Sequence, residues 1–550
     1  MVEIEKGDKT NDYKGVSVDV QMSKSFDDVM GNSIFLDLYN FIFCFLIMYI
    51  YTSAMLNASI NGSNTRFFLS AMGLLSVLLG IIMANGIMSA MGFAYMPHFA
   101  MIPFLMVGLG IDDMFVILQV FSNIENGEET DIVKKIGLTL KHAGVAISVT
   151  SLTDVCAFGV GAITVFPALQ AFCLSCSLGI ASIYFLQVTW FVAWLVIDEK
   201  RKNNETTGCV THKCKEKCMT ISCISMKCEI SKKIWPGFSS LLESNLYHLL
   251  VALSFVASLS IGIWGCITIK QHVDLARFYP SDSYLTAWTN KFDQHFNDYE
   301  LGFAIYTGAL QTKEDFMKLD NMTRTLSHWI ENQQTLESMD NWWQQFTYHI
   351  NDYWNISDWK TLFYESDGKD IQYYVSEFLY SPNGGKYNSS LWFNKSLTCS
   401  NPAPVITGSS ISITYIKDNN SEGKNRKRET LETFLSSLNT TEKTFSYGTW
   451  YFFWDLDNNV GFELWRNLGI AMICIFVVTL LFLNDFPACI LVNASVIFTV
   501  VDVVGFVRFW GITIDLISLC TIVVVIGVCV DYPVHILHSY IVSSGNSINY

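Results

Sequence analysis

The sequence predicts a polytopic α-helical membrane protein of about nine spans in two repeated halves, with one large extracellular α+β domain. Three observations predict it. Of 550 residues, 51% are hydrophobic and only 15% are charged, which leaves a soluble globule of this size too little polar surface. Apolar runs long enough to cross a bilayer recur along the chain. Between two of them lies a long acidic stretch dense in glycosylation sequons.

The apolar runs fall at 34–56, 67–90, 96–121, 143–164, 168–197, 249–269, 466–483, 487–510 and 514–540. The run at 143–164 is the most polar, through Ser148, Thr150, Ser151, Thr153 and Asp154. Such a helix spans a membrane when other helices bury it.

Orientation follows from charge near the spans. Segment 198–236 holds nine Lys/Arg against five Asp/Glu and reads as cytosolic, whereas 271–463 holds fifteen against twenty-five. The acidic segment also carries six Asn-x-Ser/Thr sequons, at Asn321, Asn355, Asn388, Asn394, Asn419 and Asn439, so it is placed outside. The sequons at Asn57, Asn61 and Asn204 then fall on the cytosolic side.

The expected domains are an external segment at 1–33, a five-helix domain at 34–197, a cytosolic Cys/Lys-rich loop at 198–248 and a transmembrane helix at 249–269. The external domain at 270–465, three further transmembrane helices at 466–540 and a cytosolic tail at 541–550 follow. Within the external domain, 301–306 and 411–416 read as strands, and 312–336 has helical apolar spacing through Phe316, Leu319, Leu326 and Ile330. Its one cysteine, Cys399, excludes an internal disulfide staple.

The halves repeat. An ungapped shift of 419 residues maps Gly86 to Gly505, Gly92 to Gly511, Gly108 to Gly527 and Asp112 to Asp531. Duplicated halves are a habit of transporters. The repeat predicts the helices of Asp112 and Asp531 side by side at a pseudo-twofold axis, with the two aspartates facing each other.

Intramembrane acids cost a few kcal/mol, about 2.5–3.5 on insertion scales, and so need a reason. In VGLGIDDMFVIL (107–118) Asp112 and Asp113 fall near the middle of a span; in IGVCVDYPVHILHSY (526–540) Asp531 is followed on the same helix face by His535 and His538. Gly108 and Gly527, each four residues before its acid, are read as helix-contact glycines. Carboxylates with an imidazole in a low-dielectric interface suit a proton or cation relay. The alternative is that these acids only hydrogen-bond between helices to hold the bundle together. Asp502 has no acidic mate at the repeat offset and is read as a structural or accessory polar residue.

GLGIDDMF and GVCVDYPVHILHSY resemble the Gly-x-x-x-Asp helices of the resistance-nodulation-division superfamily, in particular its patched-related members. Segment 34–197 resembles a sterol-sensing domain, with TSLTDVCAFGVGAITVFPALQAFC at 150–173 similar to that domain's fifth and sixth helices. The resemblance covers most of 22–540, starting from SKSFDD at 23–28. It implies that the nine spans are helices 2 to 10 of twelve, with 1–33 ending a first external domain, and helix 1 and helices 11 and 12 absent.

The resemblance further implies movement or redistribution of sterols or other lipids, driven by a proton or alkali-cation gradient through acids at the Asp112, Asp113 and Asp531 positions. It equally admits a sterol-responsive receptor or trafficking regulator without transport, with an extracellular protein ligand. The expected location is the plasma membrane or endosomal and secretory membranes.

No nucleophile elbow, phosphate loop or metal motif is present, so neither an enzyme, a cofactor nor a nucleic-acid partner is expected. Cys209, Cys214, Cys218, Cys223 and Cys228 with His212 lack a Cys-x-x-Cys and do not read as zinc ligands. Palmitoylation beside the membrane, or no defined role, fits them better. The KNRKRE run at 424–429 reads as an exposed charged loop.

Overall fold

A computed structural model describes residues 24–58, 66–93, 100–125, 131–203, 244–271, 280, 282–296, 299–332, 335–363, 369–399, 401–418, 421–438 and 444–543. The cysteines at 209–228, His212, Asn61, Asn204, Asn419 and Asn439 lie outside these residues. Two compact units form, one over Thr286–Asn459 and one over Gln21–Leu285 with Val460–Tyr550.

In the second unit the helices are α1 (Ser25–Ala58), α2 (Phe67–Ala90), α3 (Ile102–Glu125), α4 (Ile132–Gly161), α5 (Pro167–Leu186), α6 (Val192–Asn203) and α7 (Asn245–Thr268). Among the described residues of the whole chain, nine helices are long and apolar enough to cross a membrane, α5 and α6 counting as one through a π turn at Gln187–Phe191. The run expected at 143–164 begins earlier, at Ile132, where the Asp131 carboxylate accepts from the Val133 amide at 3.1 Å. Its hydroxyls are satisfied: Thr153 Oγ1 donates to Val149 O at 2.9 Å and Ser148 Oγ meets the Tyr184 hydroxyl of α5 at 2.8 Å. That bonding lets a polar helix sit inside the bundle, where over half of it is buried.

The other unit contains α8 (Tyr284–His295) in large part, then β1 (Tyr299–Thr307), α9 (Lys313–Asn332), β2 (Leu336–Asp340), α10 (Trp342–Trp354), α11 (Lys369–Tyr380), β3 (Leu391–Phe393), β4 (Ile406–Ile416), α12 (Ser421–Ser437) and β5 (Phe445–Gly448). The strands expected at 301–306 and 411–416 are β1 and β4, and the helix expected at 312–336 is α9. Thr312 opens α9 with a reciprocal cap: its hydroxyl accepts from the Asp315 amide at 3.3 Å while Asp315 accepts from the Thr312 amide at 2.8 Å. The sheet is antiparallel, ordered β2-β4-β1-β5, with β3 also paired to β4. Strand alternation sends Phe303, Ile305, Ile413 and Tyr415 into one core with Leu326, Leu431 and Trp454.

The KNRKRE run is not a loop. It lies in α12, where Lys424 pairs with Glu300 at 3.2 Å, Lys427 with Asp418 at 3.5 Å and Arg428 with Asp455 at 2.8 Å. Arg426 pairs with Glu422 one turn back at 3.0 Å, whereas Glu300 and Asp455 are acids that sequence spacing does not bring near.

The chain continues through α13 (Thr449–Leu483) to α14 (Phe486–Phe509) and α15 (Leu516–Ser543). Asp485 caps α14, accepting from the Ala488 amide at 3.4 Å, with Pro487 in the first turn.

Candidate intramembrane acid site

Three helices supply the site. Asp112 and Asp113 come from α3, Asp531 and His535 from α15, and Asp154 from α4, which packs along both of the others. The expectation that α3 and α15 lie side by side is therefore corrected: α4 runs between them for much of their length. The two outer helices meet through side chains, His535 Nε2 standing 3.7 Å from Asp112 Oδ2.

Asp154 is the residue that sequence reasoning missed as a site member. It is 2% exposed, and Asp531 is 6% exposed. Each leaves one carboxylate oxygen without a hydrogen-bond partner among the described residues. Burying such groups unpaired is expensive. Ser151 Oγ donates to Asp113 Oδ2 at 3.4 Å. A cavity of about 10 Å³, the space of one water-sized particle, is lined by Asp112, Asp113, Asp154 and Asp531 with Thr150 and Ser151.

Gly527 does let helices approach closely. A Cβ there would stand 3.1 Å from Asp154 Oδ1 and 3.2 Å from Phe158 on α4, so a larger residue would push α15 away from the acid. Gly108 plays no such part: it is exposed and nothing lies within 4 Å of its Cβ position. The close approach on α3 is made two residues later by Gly110, whose Cβ would meet Val77 at 2.6 Å and Ile183 at 3.1 Å. Both positions are glycine in the sequence; only tertiary neighbours tell them apart.

Gln187 was likewise not singled out. The π turn carries it inward, where its Nε2 donates to Ser76 Oγ at 3.1 Å and to Gly110 O at 3.0 Å. It thereby ties the backbone just ahead of Asp112 to α2. Pro533, two residues past Asp531, has no amide to offer the Cys529 carbonyl one turn back. His538 lies on α15, but its side chain is outside the described set. Among the described residues no group of three or more His, Cys, Asp or Glu is arranged to hold a metal ion.

Two further polar clusters brace this unit. Arg66 bonds Asp198 at 3.3 Å and Glu199 at 3.4 Å, Lys135 bonds Glu199 at 3.1 Å, and Arg201 bonds Asp198 at 2.8 Å. This nearly buried set joins the starts of α2 and α4 to the end of α6. Asp502 accepts from Ser258 Oγ at 2.8 Å, fastening α14 to α7 beside Gly262.

Four of the six sequons between 321 and 439 fall on described residues. Asn321, Asn355, Asn388 and Asn394 are all exposed.

The fold and site define a multi-pass membrane protein with duplicated helical halves and a cluster of acids supplied by three of its helices. The comparisons sharpen that class. A family model described as the sterol-sensing domain of SREBP cleavage-activation matches residues 63–215. Over 592 aligned residues the chain is 21% identical to NPC intracellular cholesterol transporter 1 of Sus scrofa, covering 97% of this chain and 46% of that protein. It is 26% identical over 275 residues to patched-related protein 9 of Caenorhabditis elegans, covering 48% of this chain and 31% of that one. A cryo-EM structure of the hedgehog release protein Disp from the water bear Hypsibius dujardini shares the fold, with a TM-score of 0.58 at 12% identity over 92% of this chain and 62% of that one. The chain is thus similar to cholesterol-transporter and patched-related membrane proteins, and its residues 63–215 match a sterol-sensing domain. It spans about half the length of the cholesterol transporter that it matches almost end to end.

Proposed function

We propose that the protein moves or redistributes a sterol or other lipid, coupled to an ion that passes through Asp112, Asp113, Asp154, Asp531 and His535. The observation that carries this reading is the gathering of four carboxylates, from three helices, around a cavity with room for one small particle, with the His535 imidazole 3.7 Å from one of them, Asp112. Four acids so placed need positive charge to offset them, and a proton or alkali cation supplies it. The sterol-sensing match and the cholesterol transporter relative support a sterol as cargo. His535 beside Asp112 is placed to pass the proton between α15 and α3.

The test is lipid efflux from cells expressing the complete protein as Asp531→Asn, Asp112→Asn or Asp154→Asn, normalised to glycosylated protein at the membrane. Each amide keeps size and much of the hydrogen bonding but removes the titratable group, so efflux should be abolished while sterol binding survives. Wild-type efflux in all three would show the acids to be structural. Variants held in the endoplasmic reticulum would be replaced by His535→Gln, which perturbs packing less.

A second reading, a sterol-responsive receptor or trafficking regulator without transport, draws on the family match lying within the sterol-sensing region. It predicts unaltered delivery and sterol response in the same variants, with no efflux in the wild type.

A further inference from the structure

One face of the sheet in the external unit points away from the core formed by Phe303, Ile305 and Tyr415, and it is aromatic. Alternation places Trp392, Tyr306, Phe445 and Tyr447 on this outer face. Three of the rings run as a strip across four strands. Tyr306 stacks on Trp392 at 5.8 Å and 30° on one side, and on Phe445 at 5.5 Å and 16° on the other. The strip crosses β4 where Gly408 stands opposite Trp392, its Cβ position 3.7 Å from the indole, so the missing side chain leaves the ring room to lie flat. Trp392 is 45% exposed, Phe445 49% and Tyr447 56%. Contiguous apolar surface of this kind marks a contact site.

The same strand supplies a cover. Leu391 and Phe393 face the core and Trp392 the outer face, and Asn394, at the bend one residue past β3, is exposed. Asn394 is still held in the sheet, its amide donating to Val405 O at 3.1 Å, and it heads the sequon Asn394-Lys395-Ser396. Alternate residues on a strand stand roughly 6.5 Å apart, which is about one sugar ring. A pyranose attached at Asn394 would therefore present its C–H face to the neighbouring indole, an apolar surface that an aromatic ring accepts. Asn321 stands on α9 and Asn355 caps the end of α10; neither shares a strand face with the strip.

We propose that the N-linked glycan of Asn394 lies over the Trp392–Tyr306–Phe445 strip, with its first N-acetylglucosamine stacked on Trp392. The attachment joins Asn394 Nδ2 to C1 of a lipid-pyrophosphate-linked oligosaccharide, releasing the lipid pyrophosphate and one amide proton. The glycan is then part of the fold of this unit rather than a solubilising appendage. The inference rests on the external placement of 270–465.

The experiment compares Ser396→Ala, which removes the sequon and leaves every ring in place, with Asn321→Gln in the full chain purified from secretory membranes. Loss of the Asn394 glycan should lower the melting temperature by about 2–4 °C, the shift expected when a domain of this size loses one good contact. Loss of the Asn321 glycan should leave it unchanged. In a Trp392→Ala background, Ser396→Ala should have no further effect; an equal effect with and without Trp392 would overturn the proposal. Should Ser396→Ala fail to fold, glycan is trimmed on the folded wild type instead. An endoglycosidase that leaves the first N-acetylglucosamine should not increase binding of a hydrophobic dye, and an amidase that removes the sugar entirely should.

If dye binding is the same in both trims, the sugar does not cover the strip. If Ser396→Ala leaves the mass unchanged, Asn394 is unmodified and the proposal fails; the mass shift at Asn321 then tells whether the external placement has failed with it. A dimer that Trp392→Ala dissolves and Ser396→Ala leaves intact would assign the face to a second copy and overturn the glycan seat.

Discussion

Helices α2 and α14 are one element used twice, and what lies against each copy differs. Both bounds of α14 fall 419 residues beyond those of α2. Both helices end in the same turn. Gly92 and Gly511 have φ of +85° and +72°. The Phe93 amide reaches back to Met88 O at 3.1 Å and the Ile512 amide to Val507 O at 3.2 Å, the six-to-one bond of a Schellman cap in each half. Among the described residues the surroundings differ. In the first half Gly73 makes room for Met114 of α3 and for Phe191, Gly80 for Ile183 of the α5–α6 rod, and Gly110 for Val77 of α2 and for Ile183. Their repeat mates are Val492, Thr499 and Cys529, and these line an open groove of about 610 Å³ with Leu491, Tyr532 and Ile536. Backbone turns follow the duplication, whereas side-chain volume follows the neighbour that each copy has among the described residues.

The sharpest test of that division is a pair of glycines equivalent in the repeat. At Gly505 a Cβ would fall 2.5 Å from the Gly262 Cα, and at Gly265 it would fall 2.6 Å from the Gly505 Cα. Here backbone meets backbone, with no flexible side chain able to give way. At Gly86 nothing lies within 4 Å. Gly505→Leu should therefore separate α14 from α7 and cost about 3 kcal/mol or more as overpacking. Gly86→Leu should change stability by less than about 0.5 kcal/mol, since leucine also favours the helix. Thermal unfolding in detergent measures both; equal losses would mean that the repeat, not the neighbour, sets the packing.

A smaller contrast is expected at Gly80 and its mate Thr499. A side chain at Gly80 meets Ile183 at 2.5 Å and then the Ile183 backbone amide at 3.2 Å, so a rotamer change gives only part of the space. Gly80→Leu should cost about 1–3 kcal/mol. Thr499→Leu points into the groove and should be tolerated within about 0.5 kcal/mol. A large loss at Thr499 in the same detergent assay would show that the groove is occupied in solution.

The sequence made the nine apolar helices of the described residues, the sheet-bearing unit and the repeat register legible, because each is written in local hydropathy or in glycine positions that recur at one offset. Asp154 was not legible as a site residue for a related reason. The test that picked out Asp112 and Asp531 was a match at the 419 offset, and the mate of Asp154 would fall beyond residue 550. Its span was noted only as the most polar, and nothing in one helix says which neighbour its acid faces. Gln187 was hidden because a π turn leaves no mark on apolar periodicity. The Arg66–Asp198 and Lys135–Glu199 pairs join residues 132 and 64 positions apart, and near spans such charges read as loop charge. The opposite failure befell Gly108, whose place in the repeat suggested a contact that Gly110 makes.

The two caps give the smallest effect and the cleanest one. Gly92 and Gly511 both occupy the left-handed region, and for both no atom lies within 4 Å of the Cβ position. Alanine at either therefore meets no steric neighbour, and the whole cost is the backbone strain of a Cβ at positive φ, about 1–2 kcal/mol. The caps make the same hydrogen bonds, so the two costs should be equal within about 0.5 kcal/mol, and for sites this far apart they should add in the double variant. Unfolding of Gly92→Ala, Gly511→Ala and the pair in detergent measures this. Unequal costs would place one cap under a constraint from its surroundings, and the claim that the turn belongs to the repeat while packing belongs to the neighbour would fail at the position most favourable to it.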